Sequence, residues 1–237
     1  GHTGVQALQA LEAVARCFDN YSLDLIYASP GLENERWKAI LETILSLKPP
    51  HFSAYALTVE PRTRLAKAVE KGEAPAPDDE TFAAQFYALL DAAEKHGYEH
   101  YETSNFALRG FRAVHNAAYW RGEAYLGLGP SAHSYDGERR RWANVARLDE
   151  YLRAVEAGVS PVAFEETLSD DEFHNEYVLT RLRTAEGIDL TEYARIFGRP
   201  LAVELLPADW AYSDQNRLRL TRAGKAFADA AALRLFV

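Results

Sequence analysis

The sequence predicts an α/β fold: a mainly parallel sheet built from strand–helix repeats, followed by a small helical, winged-helix-like module. Three observations carry this. Short apolar runs alternate with amphipathic stretches over the first hundred residues, the signature of βαβ units. After about residue 160 the order becomes helix, helix, short strand, helix. Hydrophobic residues make up 48% of the 237 and charged residues 26%, enough apolar material for one large domain or two small ones.

The elements follow in order. Gln6 to Cys17 repeats Leu8, Leu11 and Val14 at helical spacing. Ser22-Leu-Asp-Leu-Ile-Tyr27 is a short apolar strand closed by Ala28-Ser-Pro-Gly31. Glu33 to Leu47 places Trp37, Ile40, Leu41, Ile44 and Leu45 on one helical face, and Pro49-Pro50 stops it. Phe52 to Leu57 is a second strand. Asp78 or Asp79 caps a long helix that Gly97 ends. Tyr98 to Thr103 is a third strand and Tyr125 to Gly129 a fourth. We expect the first three to lie side by side and parallel, with Ser22–Tyr27 at an exposed edge. In the last third, Ser169-Asp-Asp opens a helix over Phe173 to Arg183. A short helix spans Leu190 to Phe197, Arg217 to Leu220 alternates as a strand, and Thr221 to Leu235 reads as one Ala-rich helix. The domain boundary falls at Ser160-Pro161, giving domains 1–160 and 161–237.

Composition excludes several classes. Cys17 is the single cysteine, so an internal disulfide or a thiolate cluster held by this chain alone is ruled out. The net charge of −9 opposes non-specific binding to nucleic acid. From Leu168 to Val237 there are 9 basic and 11 acidic residues, the wrong balance for a winged-helix DNA reader. No uncharged run approaches the ~20 residues of a membrane helix, and a cytoplasmic location is expected. The sequence contains no methionine and runs from Gly1-His2-Thr3 directly into a helical pattern, so we expect an internal segment of a longer protein.

Three places could carry chemistry. Asp24 puts a carboxylate inside an apolar strand, where it pairs with a base, caps a loop or faces a ligand. Val114-His115-Asn116-Ala-Ala-Tyr119-Trp120-Arg121-Gly122 falls where a loop is expected. Its His and aromatics suit a flat conjugated ligand, or else Trp120 plugs the core. Leu126-Gly-Leu-Gly129-Pro-Ser-Ala-His133 offers close backbone approach and a second His, but lacks the third glycine and the helix of a dinucleotide loop. The basic runs Arg139–Arg141 and Arg217-Leu-Arg219 read as phosphate or carboxylate binders. For the first, the nearby Asp136 and Glu138 favour a solvated turn.

Taken together these segments resemble a known family. Asp24-Leu-Ile-Tyr27 with Pro30-Gly31 comes first, then Ser53-Ala-Tyr55 with Glu60-Pro61, then Tyr101-Glu-Thr-Ser-Asn105-Phe-Ala107. His115-Asn116 with Tyr119-Trp120 follows, then Leu126-Gly-Leu-Gly129 with Ser131-Ala-His133-Ser134. Asn175-Glu-Tyr177, Leu182-Arg-Thr184, Leu220-Thr, Gly224-Lys and Ala228-Asp229 close the series. In this order they resemble the HemW-like haem chaperones, radical S-adenosylmethionine (SAM) proteins related to oxygen-independent coproporphyrinogen III oxidase. The resemblance implies the second half of a partial (β/α)6 barrel plus a C-terminal winged-helix-like domain, with the CxxxCxxC segment for the [4Fe-4S] cluster lying before residue 1.

By the same resemblance, Asp24 matches a carboxylate facing adenosylmethionine. Thr58 matches a position lining a second adenosylmethionine site of the oxidases. His115, Asn116, Tyr119 and Trp120 match the HNxxYW signature of the chaperones, with His115 the candidate haem-iron ligand. His133 falls where the oxidases carry an apolar residue at the barrel mouth. After the Asp-Leu-Ile-Tyr run the family usually has glycine, where this sequence has Ala28. The implied function is haem binding and transfer to acceptor proteins. The alternative is oxidative decarboxylation of coproporphyrinogen III, so whether the protein is an enzyme stays open. The implied cofactors are haem, SAM and the cluster. The implied partners are haem or porphyrin and haem-acceptor proteins, with no nucleic acid. A homodimer and peripheral membrane association complete the expectations.

Overall fold

The computed structural model describes residues 3–237, which fall into two compact units, the first ending at Ala113 and the second running Val114–Val237. The first contains α1 (Gly4–Cys17), β1 (Ser22–Tyr27), α2 (Asn34–Ser46), β2 (His51–Ala56), α3 (Arg64–Glu70), α4 (Asp79–Lys95), β3 (Glu99–Glu102) and β4 (Asn105–Ala107). Thr3 caps α1 through a reciprocal capping box with Gln6, and the Asp78 carboxylate accepts the Thr81 N–H at 2.7 Å to open α4.

The four strands form one sheet in the order β1-β2-β4-β3. β1 and β2 are parallel, paired from Ser22–His51 to Tyr27–Ala56, and β1 occupies the expected edge. The third predicted strand is displaced from its expected neighbour. β3 and β4 form a tight hairpin, and β4 inserts antiparallel between β2 and β3. Thr103 and Ser104 turn the chain back at once, so the connection is too short for a crossover and the hairpin edge, not β3, meets β2.

Strand alternation gives this sheet two unlike faces. Leu23, Tyr27, Phe52, Ala54 and Phe106 turn toward α2 and α4 and are buried. Tyr27 stacks on Trp37 of α2 at 5.7 Å and on Phe82 of α4 at 5.9 Å, and Phe52 stacks on Phe106 at 4.7 Å. Gln85 ties the layers together from a fully buried position. Its Oε1 accepts the Ala28 N–H at 2.7 Å, its Nε2 donates to the Leu32 carbonyl, and its own carbonyl accepts the Trp37 indole N–H at 2.9 Å. The opposite face carries Ser22, Asp24, Ile26, His51, Ser53, Tyr55 and Asn105.

The second unit contains α5 (Val114–Trp120), β5 (His133–Tyr135), β6 (Arg140–Asn144), α6 (Leu148–Glu156), β7 (Val162–Thr167), α7 (Asp170–Leu182), β8 (Ile188–Asp189), α8 (Leu190–Phe197), β9 (Ala211–Asp214), β10 (Arg217–Leu220), α9 (Arg222–Lys225) and α10 (Ala228–Arg234). It holds two antiparallel sheets, β5-β6-β7 and β8-β10-β9. Tyr125–Gly129 is not a strand of the parallel sheet. Only Tyr125 pairs, as an isolated antiparallel bridge to Tyr135. Val178, Leu182, Ile188, Tyr193, Leu218 and Ala231 form one core. The single C-terminal helix expected over Thr221–Leu235 is two short helices. Gly224 packs against the Trp210 carbonyl where a Cβ would lie 1.9 Å away, and Phe227 leaves helical geometry to stack on Trp210 at 5.0 Å. The sequence boundary at Ser160-Pro161 lies inside the second unit, because β7 after it pairs with β6 before it.

Candidate functional site

In the first unit the site residues lie on and beside the open sheet face. Asp24 sits mid-strand on β1, exposed and opposite Ser53. Thr58 is exposed just beyond β2, at the end where the two parallel strands finish. The register extends this face beyond the residues singled out from sequence. Asp24 pairs with Ser53, Ser53 with Asn105, and Asn105 with Glu102. The Asn105 amide donates to the Glu102 carboxylate.

Alongside runs a buried histidine relay. His51 Nδ1 lies 2.6 Å from the Ser22 hydroxyl and Nε2 lies 2.8 Å from the Tyr101 hydroxyl. Burial pushes the His51 pKa down, and the nearby Asp24 charge opposes that shift. A β-bulge between His100 and Glu102 lets Tyr101 reach His51 and Glu102 reach Asn105 from successive positions. None of Ser53, Asn105, Glu102 and His51 was named as a site residue from sequence, although Ser53, Glu102 and Asn105 stand in the segments that carry the family resemblance. The available signal was the alternation His51-Phe-Ser53-Ala-Tyr55, which puts polar side chains on one face and apolar ones on the other.

In the second unit the HNxxYW segment is a two-turn helix, not the expected loop. Ala117 and Ala118 favour it. It ends in a Schellman motif, with Glu123 N–H on the Ala118 carbonyl (3.0 Å) and Gly122 N–H on the Tyr119 carbonyl (3.0 Å), and with Gly122 at φ +63°. Helical spacing brings His115 and Tyr119 together. The Tyr119 hydroxyl lies 2.9 Å from His115 Nε2, both side chains are exposed, and their rings meet edge-on at 4.9 Å. Asn116 and Trp120 are half-buried. The Arg181 guanidinium of α7 donates to the Trp120 and Arg121 carbonyls at 2.6 and 2.8 Å, holding the C-terminal end of α5. The Trp120 indole N–H is buried with no hydrogen-bond partner among the described residues.

Rings continue from Tyr119 to Tyr125 at 4.7 Å and from Tyr125 to Tyr135 at 6.2 Å. Burial raises the pKa of both Tyr125 and Tyr135, keeping them neutral phenols. Together with Trp120, Phe173 and Tyr177 these rings line a cleft of about 450 Å³. His133 is exposed on β5 and alternation places it on the same face as Tyr135. The glycine loop before it is closely packed: a Cβ on Gly127 would lie 2.2 Å from the His133 carbonyl oxygen. Buried Asn144 donates to the Gly129 carbonyl at 3.0 Å.

The two arginine runs are spent within the fold. Arg140 forks onto Glu165 with two 2.8 Å bonds, Arg141 meets Glu166 and Glu176, Arg217 meets Asp189 and Arg219 meets Asp214. Arg140 and Arg141 are strand residues, not part of a solvated turn. The turn itself is closed by Asp136, which accepts three backbone N–H bonds that lower its pKa. Among the described residues no group of three or more His, Cys, Asp or Glu is placed to hold a metal ion, and no helix is long and apolar enough to cross a membrane.

No protein-family model matches the sequence. Comparison with curated proteins finds the heme chaperone HemW of Mycobacterium tuberculosis, 37% identical over 228 residues, 96% of this chain and 58% of the relative. The heme chaperone HemW of Lactococcus lactis is 32% identical over 232 residues, 94% of this chain and 60% of the relative. Among solved structures, coproporphyrinogen III oxidase (HemN) from Escherichia coli, described as a radical SAM enzyme, matches with a TM-score of 0.76 at 17% identity. That match covers 100% of this chain and 59% of the other. This chain therefore spans about three fifths of the length of the relatives it matches.

Proposed function

The chain belongs to the HemW-like family, and from that premise we propose that the protein of which it forms this portion is a haem chaperone, binding haem and passing it to acceptor proteins. The observation that carries the reading is α5, which presents the exposed His115–Tyr119 pair beside an aromatic cleft. Imidazole is a common haem-iron ligand, and one ring nitrogen held by a neighbour leaves the other aimed and available. In His115 the Tyr119 hydroxyl holds Nε2, and Nδ1 makes no hydrogen bond among the described residues. Tyr119 and Trp120 supply aromatic surface for the macrocycle. Asn116 stands one residue from His115 as a polar neighbour of the cargo. His133 is a second, weaker candidate ligand. The likeness to the Escherichia coli oxidase at 17% identity concerns the fold and does not favour decarboxylation here.

The same reading gives the open sheet face to adenosylmethionine, with Asp24 and Thr58 beside it. The polar residues on that face fit a ligand with a positive charge and several hydrogen-bond donors. When bound with a [4Fe-4S] cluster, adenosylmethionine supplies a 5′-deoxyadenosyl radical. The cluster does not fit this chain's donors. Cys17, exposed at the end of α1, is the sole thiol, and no step is derived through it. We read residues 161–237, with their helix–strand–helix–hairpin order, as the family's winged-helix-like domain, and the protein as cytoplasmic.

The test is haem titration of the full-length protein, followed in the Soret region, and transfer to an apo-acceptor. His115→Ala weakens binding and shifts the band, while His133→Ala does so less. Unchanged affinity and spectrum in His115→Ala place the ligand elsewhere.

A further inference from the structure

Tyr119 and His115 stand one helical turn apart on α5, with the phenol oxygen 2.9 Å from the imidazole Nε2. Both side chains are exposed, Tyr119 to 39%. Of the two, Tyr119 lines the aromatic cleft of about 450 Å³ and His115 does not. A flat ligand entering that cleft meets the Tyr119 side chain first.

Tyr125, Tyr135 and Tyr177 also line the cleft, and none of them is prepared in this way. Tyr135 donates to the Glu138 carbonyl at 2.6 Å and Tyr177 to the Glu192 carboxylate at 3.4 Å. Burial raises the pKa of all three, that of Tyr177 to about 12, so each stays a neutral phenol. A phenol bonded to an imidazole differs in kind. The ring nitrogen accepts its proton, as a base does for a nucleophile, and leaves an anionic oxygen donor. Haem iron is held by Tyr as well as by His in proteins, and an anionic oxygen suits the more highly charged ferric state.

We propose that Tyr119 is the ligand of ferric haem and His115 its proton acceptor, with His115 becoming the ligand once the iron is ferrous. The inference rests on the haem reading above and adds the oxidation state of the cargo to it. In the ferric step the phenol O–H bond breaks, the Fe–O bond forms and the water ligand of the free haem leaves. His115 takes the proton, and the resulting imidazolium donates its Nε2–H to the phenolate, a charge-assisted bond that stabilises it. One electron from an external reductant makes the iron ferrous, for which the phenolate is a poor ligand. The Fe–O bond then breaks. The imidazolium returns one proton to the phenolate and keeps the other on Nε2, and Nδ1 of the neutral ring binds the iron.

The experiment is equilibrium binding of ferric haem, and of haem reduced with dithionite, to the full-length protein, with resonance Raman spectra of the ferric complexes. The wild type shows iron–phenolate bands that reduction abolishes. Tyr119→Phe keeps the ring, loses those bands and binds ferric haem at least about tenfold more weakly, while ferrous affinity changes by less than about twofold. His115→Ala weakens both states, since one loses its base and the other its ligand. If Tyr119→Phe binds ferric haem as the wild type does while His115→Ala binds it weakly, the phenolate ligand is refuted and His115 stands as the ligand. If neither variant changes affinity or spectrum in either state, the haem reading of α5 fails as well. Equal losses in both states for Tyr119→Phe show a hydroxyl that only holds His115 in place, and overturn Tyr119 as a ligand. Should Tyr119→Phe melt early, the wild-type spectrum decides, because a ferric complex without phenolate bands refutes the assignment on its own.

Discussion

The two faces of β2 differ more than any two domains of the chain. Phe52 is wholly buried between Tyr98 and Phe106, under helices that close the core above it. Its neighbour Ser53 is almost as inaccessible, yet it turns to the opposite, polar face between Asp24 and Asn105. The C-terminal sheet β8-β10-β9 shows the other solution, with Leu218 and Leu220 turned into a core of Val178, Leu182 and Ile188. A face that exists for stability satisfies itself with apolar contact. The open face of the first sheet instead carries polar groups, and buried His51 there is held by the Ser22 and Tyr101 hydroxyls.

Substitutions on adjacent residues sharpen this contrast. Phe52→Ala removes the stacked centre of the first unit and costs about 3–5 kcal/mol, as large-to-small core changes do. Ser53→Ala, one residue on, changes stability by about 1 kcal/mol or less, because it removes a single hydroxyl and leaves the apolar face intact. Urea unfolding of the two variants measures both. A comparable loss at Ser53 means its hydroxyl is structural, and the distinction between the faces collapses.

The histidine relay is intermediate: polar, buried and satisfied. His51→Ala removes the hydrogen bonds that join the imidazole to the Tyr101 and Ser22 hydroxyls and costs about 1–3 kcal/mol. It also has a pH signature. Burial holds the folded-state pKa of His51 below its ordinary value, against the pull of Asp24. As pH falls through that ordinary value, ~6.5, the unfolded chain takes up a proton that the folded chain resists. His51 therefore contributes its full stability above that pH and loses part of it below. Unfolding at pH 7.5 and 5.5 shows the drop in the wild type and a smaller one in His51→Ala. Equal drops in the two assign the pH dependence to other groups.

How far the sequence foretold this follows the same division. The strands β1, β2 and β10 and the helices α2, α4, α7 and α8 were legible because each repeats apolar residues at its own period and ends at Pro, Gly or a capping Asp or Ser. The inserted β4 was not, since three residues after a two-residue turn carry no period. Helix α5 looked like a loop because its only strong helix formers, Ala117 and Ala118, stand between a His-Asn pair and two aromatics. Asp24 and His115 could be singled out one at a time. The Asp24–Glu102 row could not, because it exists only in cross-strand register, which local sequence does not encode.

The smallest effect lies at the end of β1. Ala28 adopts φ +54°, the left-handed region in which a Cβ costs roughly 1–2 kcal/mol. It stands where the resembling family usually has glycine. The conformation persists because the surroundings dictate it. The Ala28 N–H donates to buried Gln85, and the preceding Tyr27 carbonyl accepts the Leu57 N–H at 2.8 Å. Glycine relieves the Cβ clash but adds freedom to the unfolded chain, which takes back about 0.4–1 kcal/mol. Ala28→Gly is therefore expected to stabilise the first unit by about 0.5 kcal/mol, the difference between those two terms. Ala28 is itself buried, so the gain is smaller still if its methyl contributes to packing. Paired thermal and urea melts of Ala28→Gly and Gln85→Ala resolve the point. Loss of Gln85 removes the clamp on the strained residue and lowers stability, while Ala28→Gly in that background recovers more than it gains alone. A destabilising Ala28→Gly, or the same gain in both backgrounds, shows that the methyl's packing and not backbone strain decides the fit at this corner.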